Sequence, residues 1–416
     1  MDGLLKTLAK LIAAQSVLDT PSMGAPFGAG NLDALEVMLA AGRECGFRTH
    51  NGGGYYGYID YAGEGEGIIG ILCHLDVVPA GEGWSCPPFK LTVTDGYAYG
   101  RGVVDNKGPA VCVLEAMREL KQSGYVPRRT IRLILGCNEE SGSACIARYR
   151  NEQDIPTACF VPDADFPVVV SEMGILHLRL EIEADGLDGI SIKGGERTNV
   201  VPDRCAVIIR GEEKILTGTA AHAMTPHKGD NAIWKGLRLL SSLNCTLYIV
   251  HCTLCNPDAA RNLGIYSKDE SGEQTVSIGT VESKSGTLIM TLDLRCPVSA
   301  DTDGIIKAIQ GTLDGAGLNT RISKLYRSPP LLADTDGVLV RSLLAAYTAV
   351  TGLPPAHIKT GGGTYARALP NSVAFGPAFP HTETNIHNAD ERISLEQLRQ
   401  LIDIYGMAIV NLDKNL

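Results

Sequence analysis

Short, continuously apolar runs rich in β-formers recur in the first third and last sixth of the chain: "GIIGILCHLD", "TIRLILGCNEE", "TACFVPDAD" and "SVAFGPA". Runs of this kind suit strands buried on both faces of a mostly parallel sheet. Between them lie 3.6-residue patterns. After "DNKGP", Pro109 suits a first helical turn, Ala110, Val113, Leu114 and Met117 share one face, and Gly124 is placed to end the helix. Near the end of the chain, Ser394 and Gln397 form a capping-box pattern ahead of Leu395, Leu398, Leu401, Ile402 and Tyr405, predicting a helix from Ser394 to about Leu412. "MDGLLKTLAKLIAAQSV" places Leu4, Leu5, Leu8, Leu11 and Ile12 at helical spacing with lysines between, an amphipathic surface helix rather than a signal peptide.

From about Val169 to Pro355 the pattern changes. "LHLRLEIEAD" and "LIMTLDLRCP" alternate apolar and polar residues between Gly, Asp and Asn, as half-exposed antiparallel strands do. The predicted fold class is therefore α/β: a three-layer catalytic domain with a mostly parallel sheet, formed by residues 1–168 and 356–416, into which residues 169–355 insert as an α+β lid domain. "NGGG" (Asn51 to Gly54) and "TGGGT" (Thr360 to Thr364) are tight loops, and neither fits a phosphate-binding glycine pattern.

Composition narrows the function classes. A chain of 416 residues is long enough for two cores. A formal charge of −10 and a pI near 5.4 argue against nucleic acid or an anionic membrane as partner. No apolar stretch approaches the roughly 20 residues of a membrane span, so a soluble, cytoplasmic protein is expected. The 12 cysteines are scattered through apolar contexts and read as reduced, buried thiols. The pair Cys252 and Cys255, beside His251, has no second pair at zinc-site distance and is read as structural.

Ligand sites in open α/β sheets lie beyond the carboxyl ends of the strands. The first apolar run ends in His74 and Asp76, the second in Glu139 and Glu140, and the third in Asp163. Asp105 precedes the helix that Pro109 opens, and "HTETNIHNADE" supplies His387, with His381 nearby. Two imidazoles and several carboxylates make a mixed N/O donor set for divalent cations, and a carboxylate bridging two cations explains how so many acids share a pocket. The adjacent glutamates then divide their work: one binds metal while its neighbour handles protons.

These residues resemble those of the M20 metallopeptidases, and within them the PepV- and Sapep-like dipeptidases. The carriers are "HLDVVP", "GRGVVDNKG", "NEESGS", "PDADFP", "AAHAMTP", "GGGTYAR" and "NIHNADE", in this order across nearly the whole chain. The resemblance implies that His74 and Asp163 hold one metal, Glu140 and His387 the other, and Asp105 bridges. It makes Glu139 the general base and Asp76 the partner that orients the histidine, with a cis bond at Asp105–Asn106. His222 is implied to stabilise the oxyanion, and Asn199, Arg295, Gly362, Gly363 and Thr364 to meet the carboxylate end of the substrate. The implied cofactors are two divalent cations, zinc or manganese with cobalt as a third candidate. The implied reaction is hydrolysis of small unblocked dipeptides. The enlarged inserted segment implies a monomer, with a homodimer as the alternative. N-acyl-amino-acid deacylases and carboxypeptidases of the same family share the scaffold motifs, and an inactive, metal-bound amino-acid-binding protein is the reading outside catalysis.

Overall fold

The structure, a computed structural model, describes residues 1–184 and 186–416. Asp185, last residue of the alternating stretch read above, lies outside them. The chain forms two compact units, one of Met1–Val170, Ala333–Ile358 and Thr364–Leu416, the other of Ser171–Leu332 with Lys359–Gly363.

The first unit contains α1 (Asp2–Ala13), α2 (Ala29–Glu44), β1 (Arg48–Asn51), β2 (Tyr56–Tyr61), β3 (Ile68–His74), α3 (Lys107–Gln122), β4 (Thr130–Gly136), α4 (Ala144–Glu152), β5 (Ala158–Val161), α5 (Val338–Thr351), β6 (Ser372–Ala374) and α6 (Leu395–Asn415). In the sheet β1, β2, β4, β3, β5 and β6 follow one another. β4, β3, β5 and β6 are mutually parallel, and β2 joins β4 antiparallel. All residues of β3 and β4 after the first are buried, as their unbroken apolar runs require.

Helices cover both faces, because opposite sides of each strand are apolar. Ile59 of β2 faces Gly42 of α2, where a side chain would overlap it. On the other side of the same strand, Tyr56 meets Tyr149 of α4 edge to face at 5.3 Å. Tyr405 of α6 lies on Phe160 of β5, ring centroids 5.7 Å apart. The capping box predicted at Ser394 and Gln397 is formed, with both reciprocal hydrogen bonds. Gly124, with φ +80°, follows the end of α3.

The second unit is built on a seven-stranded sheet in the order 212–217, 204–209, 190–194, 275–284, 287–296, 174–183, 320–328. Every pair in it is antiparallel. Leu176, Leu178, Leu180 and Ile182 are buried while His177, Arg179 and Glu181 between them are not, so the alternation read from sequence sets the two faces. Leu237, Leu240, Ile305, Ile309 and Leu313 of its helices complete the core.

The far boundary of the inserted segment differs from the expectation. It was placed at residue 355, yet the second unit's long segment ends at Leu332. The reason is α5, which packs against α6 and so belongs to the first unit; its apolar run carries no mark of which core it joins. No helix among the described residues is long and apolar enough to cross a membrane.

Gly136 ends β4 directly beneath Tyr365, and a Cβ there would overlap the Tyr365 hydroxyl. Gly136→Ala is expected to cost about 1–3 kcal/mol through overpacking. Urea unfolding checks this, and an unchanged midpoint would show that Tyr365 can move aside.

Candidate metal centre

Parallel pairing aligns the carboxyl ends of β3 and β4, with His74 opposite Gly136. The loops that leave these ends therefore deliver their polar residues to one place. His74 is itself buried at the last position of β3. The Nδ1 of its ring makes a 2.9 Å hydrogen bond to the main-chain oxygen of Asp76, which leaves Nε2 aimed at the acids.

The Asp76 carboxylate has a further task besides the one expected. It pairs with His74 Nδ1 at 3.6 Å and also accepts the backbone N–H groups of Glu139 at 2.9 Å and Glu140 at 3.0 Å. One buried carboxylate thus fixes the backbone of both glutamates, while the Asp76 main chain orients the imidazole. Asn106 completes the frame: its amide donates to the Pro162 carbonyl and its Oδ1 accepts from the His74 N–H at 3.4 Å. The Asp105–Asn106 bond is cis.

Asp105 lies between the two histidines. Its Oδ1 is 2.8 Å from His74 Nε2 and its Oδ2 is 2.9 Å from His387 Nε2. Asp163 is 3.6 Å from His74 Nε2, and Glu140 is 3.0 Å from His387 Nε2. Three sets have ligand atoms within 4.8 Å of one another: His74, Asp105 and Asp163; Asp105, Glu140 and His387; His74, Glu139 and Glu140. The first two share only Asp105, through different oxygens. Two N/O donor sets joined by one carboxylate fit a pair of divalent cations.

The electrostatics follow from this crowding. Burial alone disfavours charge on Asp105, but hydrogen bonds from His387 and His74 hold its carboxyl far below the usual range. Burial and then the charge of Asp105 push Asp163 up to about 7. Burial and the charge of Asp163 raise Glu139 well above an ordinary carboxyl. His74 is raised despite burial by Asp105, Asp163 and Asp76, and hydrogen bonds to Asp105 and Glu140 push His387 up to about 10.

The profile of the family described as Peptidase family M20/M25/M40 matches residues 70–411. The chain belongs to this family. It is 32% identical to a Bacillus subtilis protein named "Putative dipeptidase YtjP", over 99% of this chain and 98% of that one. The fold is shared with an M20 family metallo-carboxypeptidase from Sulfolobus solfataricus, at a TM-score of 0.67 and 16% identity, each chain covered to 100%. It is also shared with human carnosine dipeptidase 1, at a TM-score of 0.66 and 15% identity over 99% of this chain and 96% of that one. Membership makes this chain a hydrolase of a metallopeptidase family.

The remaining expected residues lie mostly in the second unit. His222 is exposed on a short strand pairing with Val200, next to Asn199, and its Nδ1 accepts the Met224 N–H at 3.0 Å. Arg295, expected to meet a substrate carboxylate, is 3% exposed and its fork is engaged. Its Nε and Nη2 donate to the two oxygens of Asp293 at 2.7 and 2.8 Å, and Nη1 donates to the Gly361 carbonyl at 2.9 Å. Positions 293 and 295 of one strand share a face, so "LDLRCP" already held the signal for this pair. Asp293 is also 2.9 Å from His177 Nε2, a histidine to which the sequence reading gave no role. Gly362 donates its N–H to Thr360, and the Thr364 side chain accepts from Ala366.

The sequence reading also passed over Tyr365, buried and edge-on to the His74 ring at 6.0 Å, with its hydroxyl 2.6 Å from Cys145 Sγ. Cys252 and Cys255 are free thiols outside the three donor sets, one exposed and one buried.

Cations would displace protons from this cluster. His74, His387 and Asp163, the expected ligands whose pKa values are raised, hold protons more tightly than usual and give them up on coordination, so affinity is expected to rise with pH. Calorimetry of the metal-stripped protein in two buffers of different ionisation enthalpy, at about pH 6 to 8, should report proton release; heats independent of buffer would contradict this electrostatic picture.

Proposed function

We propose that the chain is a dipeptidase that hydrolyses small unblocked dipeptides at a centre of two divalent cations, zinc or manganese with cobalt also acceptable. The observation that carries this reading is Asp105, whose two oxygens each face a different histidine. The full-length similarity to a protein named as a dipeptidase supports the choice of substrate.

In this reading His74, Asp105 and Asp163 hold one cation and Asp105, Glu140 and His387 the other. Cations held there would supply Lewis acidity toward a water and a carbonyl. Glu139 takes a proton from the attacking water and returns it to the leaving amine. Its neighbour Glu140 is committed to His387, and Asp76 fixes both backbones, so the base is held without being a ligand. His222, with Nδ1 occupied as an acceptor, carries its proton on Nε2 when neutral, the form that donates to an oxyanion.

For the substrate's carboxylate end, Asn199, Gly362, Gly363 and Thr364 are the proposed contacts, on the resemblance. Arg295 is proposed to act through the Gly361 carbonyl it holds, shaping the glycine loop. The twelve free thiols suit a reducing compartment, and the cytoplasm is the proposed one.

Glu139→Gln should lower kcat by about 10²–10⁴-fold and keep both cations, whereas Asp105→Ala should lose cations and activity together. Metal analysis beside single-substrate kinetics checks this, and a Glu139→Gln variant with normal kcat would remove Glu139 as the base. Release of free amino acid from unblocked L,L-dipeptides, but not from N-acetyl-amino acids, is expected of the reconstituted enzyme; the reverse preference would move it to a deacylase. The proposed assembly is a monomer, and a light-scattering mass of twice the chain would overturn that.

A further inference from the structure

Glu391 is fully buried four residues beyond His387. Its Oε2 accepts from Arg101 Nη1 at 2.7 Å and from the Gly102 N–H at 3.0 Å. Its Oε1 accepts the N–H groups of Val104 at 2.9 Å and Asp105 at 3.2 Å. Its own carbonyl accepts from Gly100 at 3.1 Å. One residue, through side chain and main chain, therefore accepts four of the six N–H groups from Gly100 to Asp105. Arg101, 1% exposed, extends the connection: its Nη2 donates to the carbonyls of Pro79 and Ala80 at 3.4 and 3.2 Å, in the segment that leaves His74 and Asp76.

Three segments meet at this buried pair, and each carries part of the candidate metal centre: 74–80 with His74, 100–105 with Asp105, and 385–391 with His387. The last is the least conventional of them. Asn385, His387 and Asp390 have φ of 53°, 63° and 57°, a left-handed conformation uncommon outside glycine and found there mostly at Asn, Asp and His. Asp390 adds a tie, accepting from the N–H and hydroxyl of Ser85 at 2.8 and 3.0 Å. A buried ion pair is expensive to desolvate and weak as a source of stability alone, so its position here points to what it holds in place.

We propose that Glu391, through its buried pair with Arg101, is the positioning residue that fixes His387 relative to Asp105, and thereby sets the affinity of the cation held by Asp105, Glu140 and His387. The inference rests on the two-cation reading above. Supports of this kind commonly change metal affinity by about 10–100-fold.

The test is a Co²⁺ titration of the metal-stripped wild type, Glu391→Gln and Arg101→Lys, followed by calorimetry and by the visible d–d bands, with thermal midpoints of the stripped proteins. Wild type should bind two ions. Glu391→Gln should weaken one event by about 10–100-fold and alter its d–d bands while changing the other less. Arg101→Lys, which keeps the charge but gives up the fork to Pro79 and Ala80, should fall between. If Glu391→Gln keeps both affinities and the wild-type spectrum, the pair is only structural and the inference fails, whatever the midpoint. Equal weakening of both events would overturn the role toward His387. A wild type that binds one ion would overturn the two-cation reading and this inference with it. Should Glu391→Gln not fold, the same readouts on Arg101→Lys decide, by the same outcomes.

Discussion

The structure is organised around a repulsion. Asp105, Glu139, Glu140 and Asp163 bring four carboxylates to the ends of neighbouring strands, where little water screens them. Left to themselves such groups separate or take up protons. Much of the surrounding architecture resists both outcomes: Asp76 fixes the glutamate backbones, Asn106 joins the ends of β3 and β5, and Glu391 holds the Asp105 turn. Divalent cations relieve the repulsion, which is why the scaffold and the donor set make sense together.

The adjacent glutamates show how local geometry divides labour. Glu139 and Glu140 lie in the turn beyond β4. With both N–H groups on the Asp76 carboxylate, the pair cannot rotate to exchange roles: Glu140 meets His387, and Glu139 shares a set with His74 and Glu140. The same logic governs Asp105, whose two oxygens serve separate histidines because the residue sits in a turn whose N–H groups are already satisfied by Glu391.

Four of the site residues named from the sequence share one property that Asp105 and His387 lack. His74, Glu139, Glu140 and Asp163 each end or closely follow an apolar run, so the parallel sheet alone brings them together. What was missed is held by contacts between distant segments. Tyr365 and Glu391 lie 291 and 286 residues from His74 and Asp105, positions where spacing carries no information. Arg295 shows a different limit. Its partner Asp293 stands two residues away on the same strand face, a spacing the sequence states but that does not by itself say which acid an arginine takes.

The sequence by itself determined the fold class, the buried strands, three of the helices and the family. These depend on local periodicity and on residue types at strand ends, which the chain states directly. Tertiary structure alone decided that α5 joins the first core, that the Asp76 carboxylate holds the backbone of both glutamates as well as facing His74, and that Arg295 is paired internally. Each of these turns on which of several chemically equivalent partners lies within hydrogen-bonding or packing distance. That choice is made by the packing of the folded chain, not by the order of its residues.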